Sequence, residues 1–127
     1  MATKKPTKTK RKNISEGRAY IFASYNNTII TLTDSDGKTI AASSAGSSGF
    51  KGTRKSTPYA AQIAAENAVE KSKVHGLEKV EVYVKGAGVG RDQSIRGLIA
   101  AGLDLVSITD LTNIPHNGCR KPRTRRV

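Results

Sequence analysis

The chain has 127 residues, one cysteine and a formal net charge of +12. That length suits one compact domain with its own core, and a lone cysteine excludes an internal disulfide framework. No apolar run approaches the roughly 20 residues needed to span a bilayer, and the basic N-terminus lacks the apolar stretch of a secretory signal, so the expected location is the cytoplasm.

The charge is concentrated at the ends. Residues 1–12 carry six Lys or Arg and residues 116–127 carry five, both without an acid, whereas residues 13–115 hold 11 basic and 10 acidic residues. The expected organisation is a basic disordered N-terminal extension at 1–13, a globular α/β domain at 14–115 and a basic C-terminal tail at 116–127. Such arms repel themselves and have little apolar surface to bury, so they stay unfolded alone and invite a polyanion. Neither has the apolar face that would seat it on a membrane. A simple solubility tail is the rival reading.

In chain order, "RAYIFASYN" (18–26) and "TIITLTD" (28–34) read as strands joined at Asn26-Asn27, a pair that tolerates positive φ. After the turn signal "SDG" (35–37), "KTIAASSA" (38–45) is a weaker third strand, so an antiparallel meander is expected. A glycine- and serine-rich loop, "GSSGFKGTRKS" (46–56), leads into the helix "TPYAAQIAAENAVEKSKVHG". Thr57 suits its cap, Pro58 its first turn and Gly76 its exit. Ala61, Ala64, Ala65, Ala68 and Val69 give that helix a small-residue face. "LEKVEVYVK" (77–85) alternates, with Val80, Val82 and Val84 inward. "RDQSIRGLIAAG" (91–102) is a second helix with Ile95, Leu98 and Ile99 on one face and Gly102 near its end. "LDLVSITDLT" (103–112) is a fifth strand. Right-handed crossovers make the later strands parallel, giving a mixed five-stranded sheet with helices packed on it.

Four motifs bear on chemistry. "KGAGVGR" (85–91) lies between a strand and a helix, a context that aims backbone N–H groups at an anion. It is neither a dinucleotide fingerprint, since Arg91 stands where the third glycine belongs, nor a Walker loop, which needs Gly-Lys-Ser/Thr. The readings are a turn needing positive φ, a nucleotide cofactor, or a nucleic-acid phosphate met by Lys85 and Arg91. "GSSG" (46–49) matches the G-x-x-G of KH domains but joins a strand to a helix rather than two helices; Lys51, Arg54 and Lys55 beside it suit phosphates or are an ordinary solvated loop. A meander followed by β-α-β units resembles ribonuclease H architecture, but the first strand has no acid and the carboxylates are scattered, which disfavours a two-metal nuclease. His75 reads as a helix C-terminal cation and His116 as a base-stacking candidate. Cys119 lacks a base partner, Asn117-Gly118 signals a bend, and no zinc spacing exists. No catalytic, cofactor or metal residues are assigned.

Three long stretches, "SSAGSSGFKGTRKSTPYAAQIAAENA", "VKGAGVGRDQSIRGL" and "IPHNGCRKPRTRRV", closely resemble the bacterial small-subunit ribosomal protein eleven family. The resemblance covers residues 14–127. It departs at Ala87, where many members have Pro, and at Ser48, where Cys is common. It implies a ribonuclease H-like topology without the active site and a place on the platform of the small ribosomal subunit. There the family bridges small-subunit rRNA helices and helps form the cleft holding the Shine-Dalgarno helix and messenger RNA. Small-subunit ribosomal proteins seven and eighteen would be neighbours, with initiation factor three close by. Carried over by motif, the implied rRNA contacts are Asn26, Asn27 and Thr28, then Lys51, Gly52, Thr53, Arg54 and Lys55. Lys85, Gly86, Gly88, Gly90 and Arg91 follow. His116, Asn117, Gly118, Arg120, Lys121, Arg123, Arg125 and Arg126 complete the set, with the three loop glycines allowing close approach to RNA. A general DNA-compacting protein is the alternative.

Overall fold

In the computed structural model, residues 14–126 are described; the basic extension expected over 1–13 lies outside the described residues. The meander forms first: β1 (Glu16–Ala23), β2 (Thr28–Asp34) and β3 (Thr39–Ser44). Alternation of apolar and polar residues puts Ala19, Ile21 and Ala23 of β1 in the core while Phe22 stays exposed. At the β2–β3 turn the Asp34 carboxylate accepts from the amides of Asp36 (3.0 Å) and Lys38 (2.8 Å), and Gly37 takes a φ of +92°. This is the self-capping turn that Asp and Gly favour. The β1–β2 connection differs from the expectation. Asn117 is the only non-glycine with positive φ among the described residues, so neither Asn26 nor Asn27 needs it. Instead the Ser24 amide donates to the Asn27 carbonyl at 2.9 Å, and the Asn27 amide donates to Ser24 Oγ at 3.0 Å.

Helix α1 (Pro58–Ser72) begins as its sequence predicts, with Pro58 at its first position and Thr57 Oγ1 accepting from the Ala60 amide. A 3-10 turn, Lys73–His75, tightens its end before Gly76 leaves at a φ of +72°. Strand β4 (Lys79–Lys85), helix α2 (Arg91–Ala100) and strand β5 (Asp104–Asp110) follow. The sheet order is β3-β2-β1-β4-β5. β1–β2 and β2–β3 are antiparallel, while β1–β4 and β4–β5 are parallel. The expected mixed sheet of ribonuclease H-like topology is therefore present.

One core joins the sheet to both helices. Val80, Val82 and Val84 meet Ala64, Ala65, Ala68 and Leu98 there. The alanine face lets the helices close on each other: a Cβ on Gly97 would lie 2.8 Å from Ala65 Cβ and 2.9 Å from the Gln62 carbonyl oxygen. The expected face of α2 holds at Leu98 and at Ile95, which packs partly buried against the core, and departs at Ile99. Ser94, Gly97 and Leu98 are buried, whereas Ile99 is half exposed. At close helix–helix range small residues, Ser94 and Gly97, join Leu98 in the buried stripe. Among the described residues no helix lies over the other sheet face; Tyr20 and Tyr83, paired across β1 and β4, stack there with ring centroids 5.4 Å apart. β5 is an edge strand, and Val106 and Ile108 on it are exposed.

Candidate nucleic-acid interface

The topology sends the predicted segments to one end of the sheet. β1, β4 and β5 run parallel, so the turn after Ala23, the loop after Lys85 and the tail after Asp110 leave at the same end. β2 runs back and β3 returns, so the loop after Ser44 emerges there too, and both helices start there. The chain enters the body at the other end, where the Ile14 amide donates to the His75 carbonyl at 2.8 Å. Acids are few at the loop end, Asp92 and Asp110 against Lys51, Arg54, Lys55, Lys85, Arg91 and the basic tail. Two helix N-termini add partial positive charge. This end can hold a polyanion without reading bases.

The glycine loop is built against the first turn. A Cβ at Gly86 would sit 2.3 Å from the Ala23 carbonyl oxygen, one at Gly88 2.1 Å from the Ser24 carbonyl oxygen, and one at Gly90 2.2 Å from Thr28 Oγ1. The Gly88 amide donates to the Ala23 carbonyl at 2.8 Å. Only Gly86 of the three has positive φ, at +101°. The glycines are thus required by close approach of the chain to itself. Thr28, expected as a contact, is 2% exposed, and its Oγ1 occupies the space a Cβ on Gly90 would need. Gly88 and Gly90 are buried, while Lys85, Ala87 and Val89 project outward. The turn and the loop are one packed unit. Ser94 Oγ holds its far end through the Gly90 carbonyl at 2.6 Å.

Arg91 does not stand free in solvent. Its Nη1 donates to the Gly86 carbonyl at 2.6 Å and to Thr112 Oγ1 at 3.3 Å, and its Nη2 pairs with Asp110 Oδ2 at 2.7 Å. Among the described residues this is the only ion pair. Asp110 Oδ1 also accepts from the Thr112 amide at 2.9 Å and hydroxyl at 2.5 Å. The Arg91 guanidinium, followed by the Thr112 hydroxyl and amide, holds the Asp110 carboxyl well below the usual carboxylate range. Asp110 and Thr112 were not singled out from sequence; nothing in their spacing from Arg91 marks them.

The other basic loop is built differently. Gly52–Ser56 forms a 3-10 turn where the sequence predicts a loop. Lys51, Gly52, Thr53 and Arg54 are exposed and Lys55 is half buried. Gly49 and Gly52 have φ of +97° and +59°, with no atom within 4 Å of a Cβ placed on either. Thr57 Oγ1 donates to the Arg54 carbonyl at 2.8 Å while capping α1, which anchors the turn to the helix. Two exposed tyrosines, missed in the sequence reading, sit at this end: Tyr25 at 79% exposure in the first turn and Tyr59 at 62% in the first turn of α1. Tyr59 meets Phe50 edge-on at 5.8 Å. Aromatic residues flanking the basic motifs were the available signal. Asn26 is exposed and Asn27 half buried.

Past Thr112 the chain is exposed through His116, Asn117, Gly118, Arg120, Lys121, Arg123, Arg125 and Arg126. Asn117, at a φ of +55°, supplies the bend that Asn-Gly signals. Cys119 is exposed and unpaired with another cysteine. Among the described residues no three His, Cys, Asp or Glu side chains are grouped to hold a metal ion, and no helix is long and apolar enough to cross a membrane.

Comparison with known proteins agrees with the motif resemblance. A profile of the family described as Ribosomal protein S11 matches residues 17–126. The small ribosomal subunit protein uS11 of Psychromonas ingrahamii is 55% identical over 127 residues, covering 98% of each chain. The protein of the same name from Acidiphilium cryptum is 53% identical over 126 residues, covering 99% of this chain and 97% of its own. With the profile spanning the body and tail and both relatives aligned nearly end to end, this chain belongs to the ribosomal protein S11 family.

Proposed function

We propose that this protein is a non-catalytic structural constituent of the small ribosomal subunit, working in the cytoplasm on the ribosome, and that it binds small-subunit rRNA through the loop end of its sheet. The observation that supports this reading is convergence: the first turn, both basic loops and the C-terminal tail leave the body on one side. Lys51, Arg54, Lys55 and Lys85 meet phosphates directly, with Asn26 and Asn27 alongside them. Tyr25 and Tyr59 offer aromatic faces to unpaired bases. The tail, with Arg120, Lys121, Arg123, Arg125 and Arg126, threads between RNA helices and orders on binding. Its arginines suit bidentate phosphate contact.

In the finer reading carried by the family resemblance, the protein bridges rRNA helices on the platform and lines the cleft that holds the Shine-Dalgarno helix. Its protein neighbours there are small-subunit ribosomal proteins seven and eighteen, with initiation factor three nearby. The basic segment at 1–13 is an rRNA-binding extension in the same reading.

Competitive binding tests this. A labelled small-subunit rRNA transcript competes against equal mass of duplex DNA at low and at high salt. Preference for the rRNA that persists at high salt is expected, because a shaped interface retains selectivity after counterion release is screened. Equal competition that vanishes with salt would instead make it a general nucleic-acid-binding, DNA-compacting protein.

A further inference from the structure

We infer that Arg91 is a positioning residue: its ion pair with Asp110 locks the glycine loop to the root of the C-terminal tail and thereby sets the direction in which the tail meets RNA. The inference rests on the proposed rRNA interface and concerns how that interface is assembled. Arg91 is the first residue of α2, flanked by the loop it serves. One guanidinium reaches three separate pieces of chain: the Gly86 carbonyl at the loop's start (2.6 Å), the Asp110 carboxylate at the end of β5 (2.7 Å) and the Thr112 hydroxyl at the tail's root (3.3 Å).

Asp110 completes the lock from the other side. One carboxylate oxygen takes Arg91, and the other takes both the amide and the hydroxyl of Thr112. The backbone pairing of the sheet runs one residue further, with the Leu111 amide donating to the Val84 carbonyl at 2.7 Å. Thr112 is therefore the last residue tied to the body before the exposed tail begins. The lowered carboxyl of Asp110 fits a carboxylate that stays ionised in this role.

A basic residue beside RNA would ordinarily be taken as a phosphate contact. Here Arg91 makes three hydrogen bonds within the protein while its side chain stays 31% exposed, and a carboxylate at the cationic end receives one of them. A carboxylate near a polyanion is unfavourable unless its structural work exceeds the repulsion, and that gives the test its sign. If Arg91 served as a phosphate contact, Asp110→Asn would tighten RNA binding, by removing repulsion and releasing the guanidinium.

The full-length protein and the Arg91→Ala, Asp110→Asn, Thr112→Val and Thr112→Ser variants would be titrated with the small-subunit rRNA transcript over a salt series, with thermal melts of each. The expected result is a loss of about tenfold in affinity for Arg91→Ala and for Asp110→Asn, equivalent to about 1.4 kcal/mol. The slope of log affinity against log salt stays that of the parent, and the double variant is no worse than either single, as coupled groups behave. Thr112→Val weakens binding and Thr112→Ser restores it. Tighter binding by Asp110→Asn would overturn the inference. So would a salt slope for Arg91→Ala shallower by about 0.7–0.9, the signature of one lost phosphate contact. Either result would leave the rRNA interface standing. Parent protein that shows no rRNA preference would remove the interface, and this inference with it. Should Arg91→Ala fail to melt cooperatively, the Thr112 pair decides the matter, since it alters a single hydroxyl.

Discussion

The two basic glycine loops of this protein look alike in sequence and are opposite in construction. In the loop at 46–56, Gly49 and Gly52 are present for their backbone angles and open onto empty space, while Lys51 and Arg54 extend into solvent. In the loop at 85–91, Gly88 and Gly90 have ordinary negative φ and are present because backbone and side chain crowd the place a Cβ would take. The cation at that loop's end is spent on holding the protein together. One loop presents charge and the other is a joint between the first turn, the second helix and the tail. "Glycine plus lysine or arginine" therefore carries two physical meanings: conformational freedom in one place and close packing in the other.

The contrast can be broken most sharply at Gly88. Gly88→Ala forces a methyl into the Ser24 carbonyl, which cannot yield without moving the turn. A loss of about 3 kcal/mol is expected, at the upper end for overpacking, read as a lower denaturation midpoint with an unchanged m-value. A loss below about 0.5 kcal/mol would mean the joint is soft. Thr57→Ala probes the root of the presenting loop, since one hydroxyl both caps α1 and ties down Arg54. About 1 kcal/mol of stability is expected to go, the usual cost of a lost cap, measured by chemical denaturation. Gly52→Asn is expected to do least. Asn tolerates the left-handed region and the site has room, so the midpoint should move by less than about 0.5 kcal/mol. A large shift there would show that the presenting loop is as tightly built as the joint.

Much of this was legible from sequence because it depends on local chemistry. Valine alternation located β4, Thr57-Pro58 and Gly76 bracketed the first helix, and Asp-Gly turned the hairpin; all appear within about two residues of expectation, as element ends allow. The charge arms and the two basic loops were visible as composition. What was not legible is what depends on spatial neighbours. The 3-10 turn at Gly52–Ser56 has no apolar period to announce it. The buried stripe of α2 runs through Ser94 and Gly97 because α1 presents alanines to it, which no reading of α2 alone reveals. Thr28 looked like a turn-side contact and is buried, packed against Gly90, sixty-two positions later in the chain. The pairing of Arg91 with Asp110 and Thr112 was hidden likewise, because a helix and a strand separate these residues in the chain.

If RNA is met at one end of the sheet, as we propose, removing charge from each end in turn will have unequal effects. One variant carries Lys51→Ala, Arg54→Ala and Lys55→Ala; the other carries Lys38→Ala, Lys73→Ala and Lys79→Ala, three exposed lysines at the opposite end. Each removes the same charge, so bulk electrostatics alone would treat them equally. Affinity for the small-subunit rRNA transcript, measured across a salt series, is expected to fall for the first variant with its salt slope shallower by about 2, the loss of two to three phosphate contacts. The second is expected to keep the parent's slope. Equal slopes for the two variants would contradict a one-ended interface.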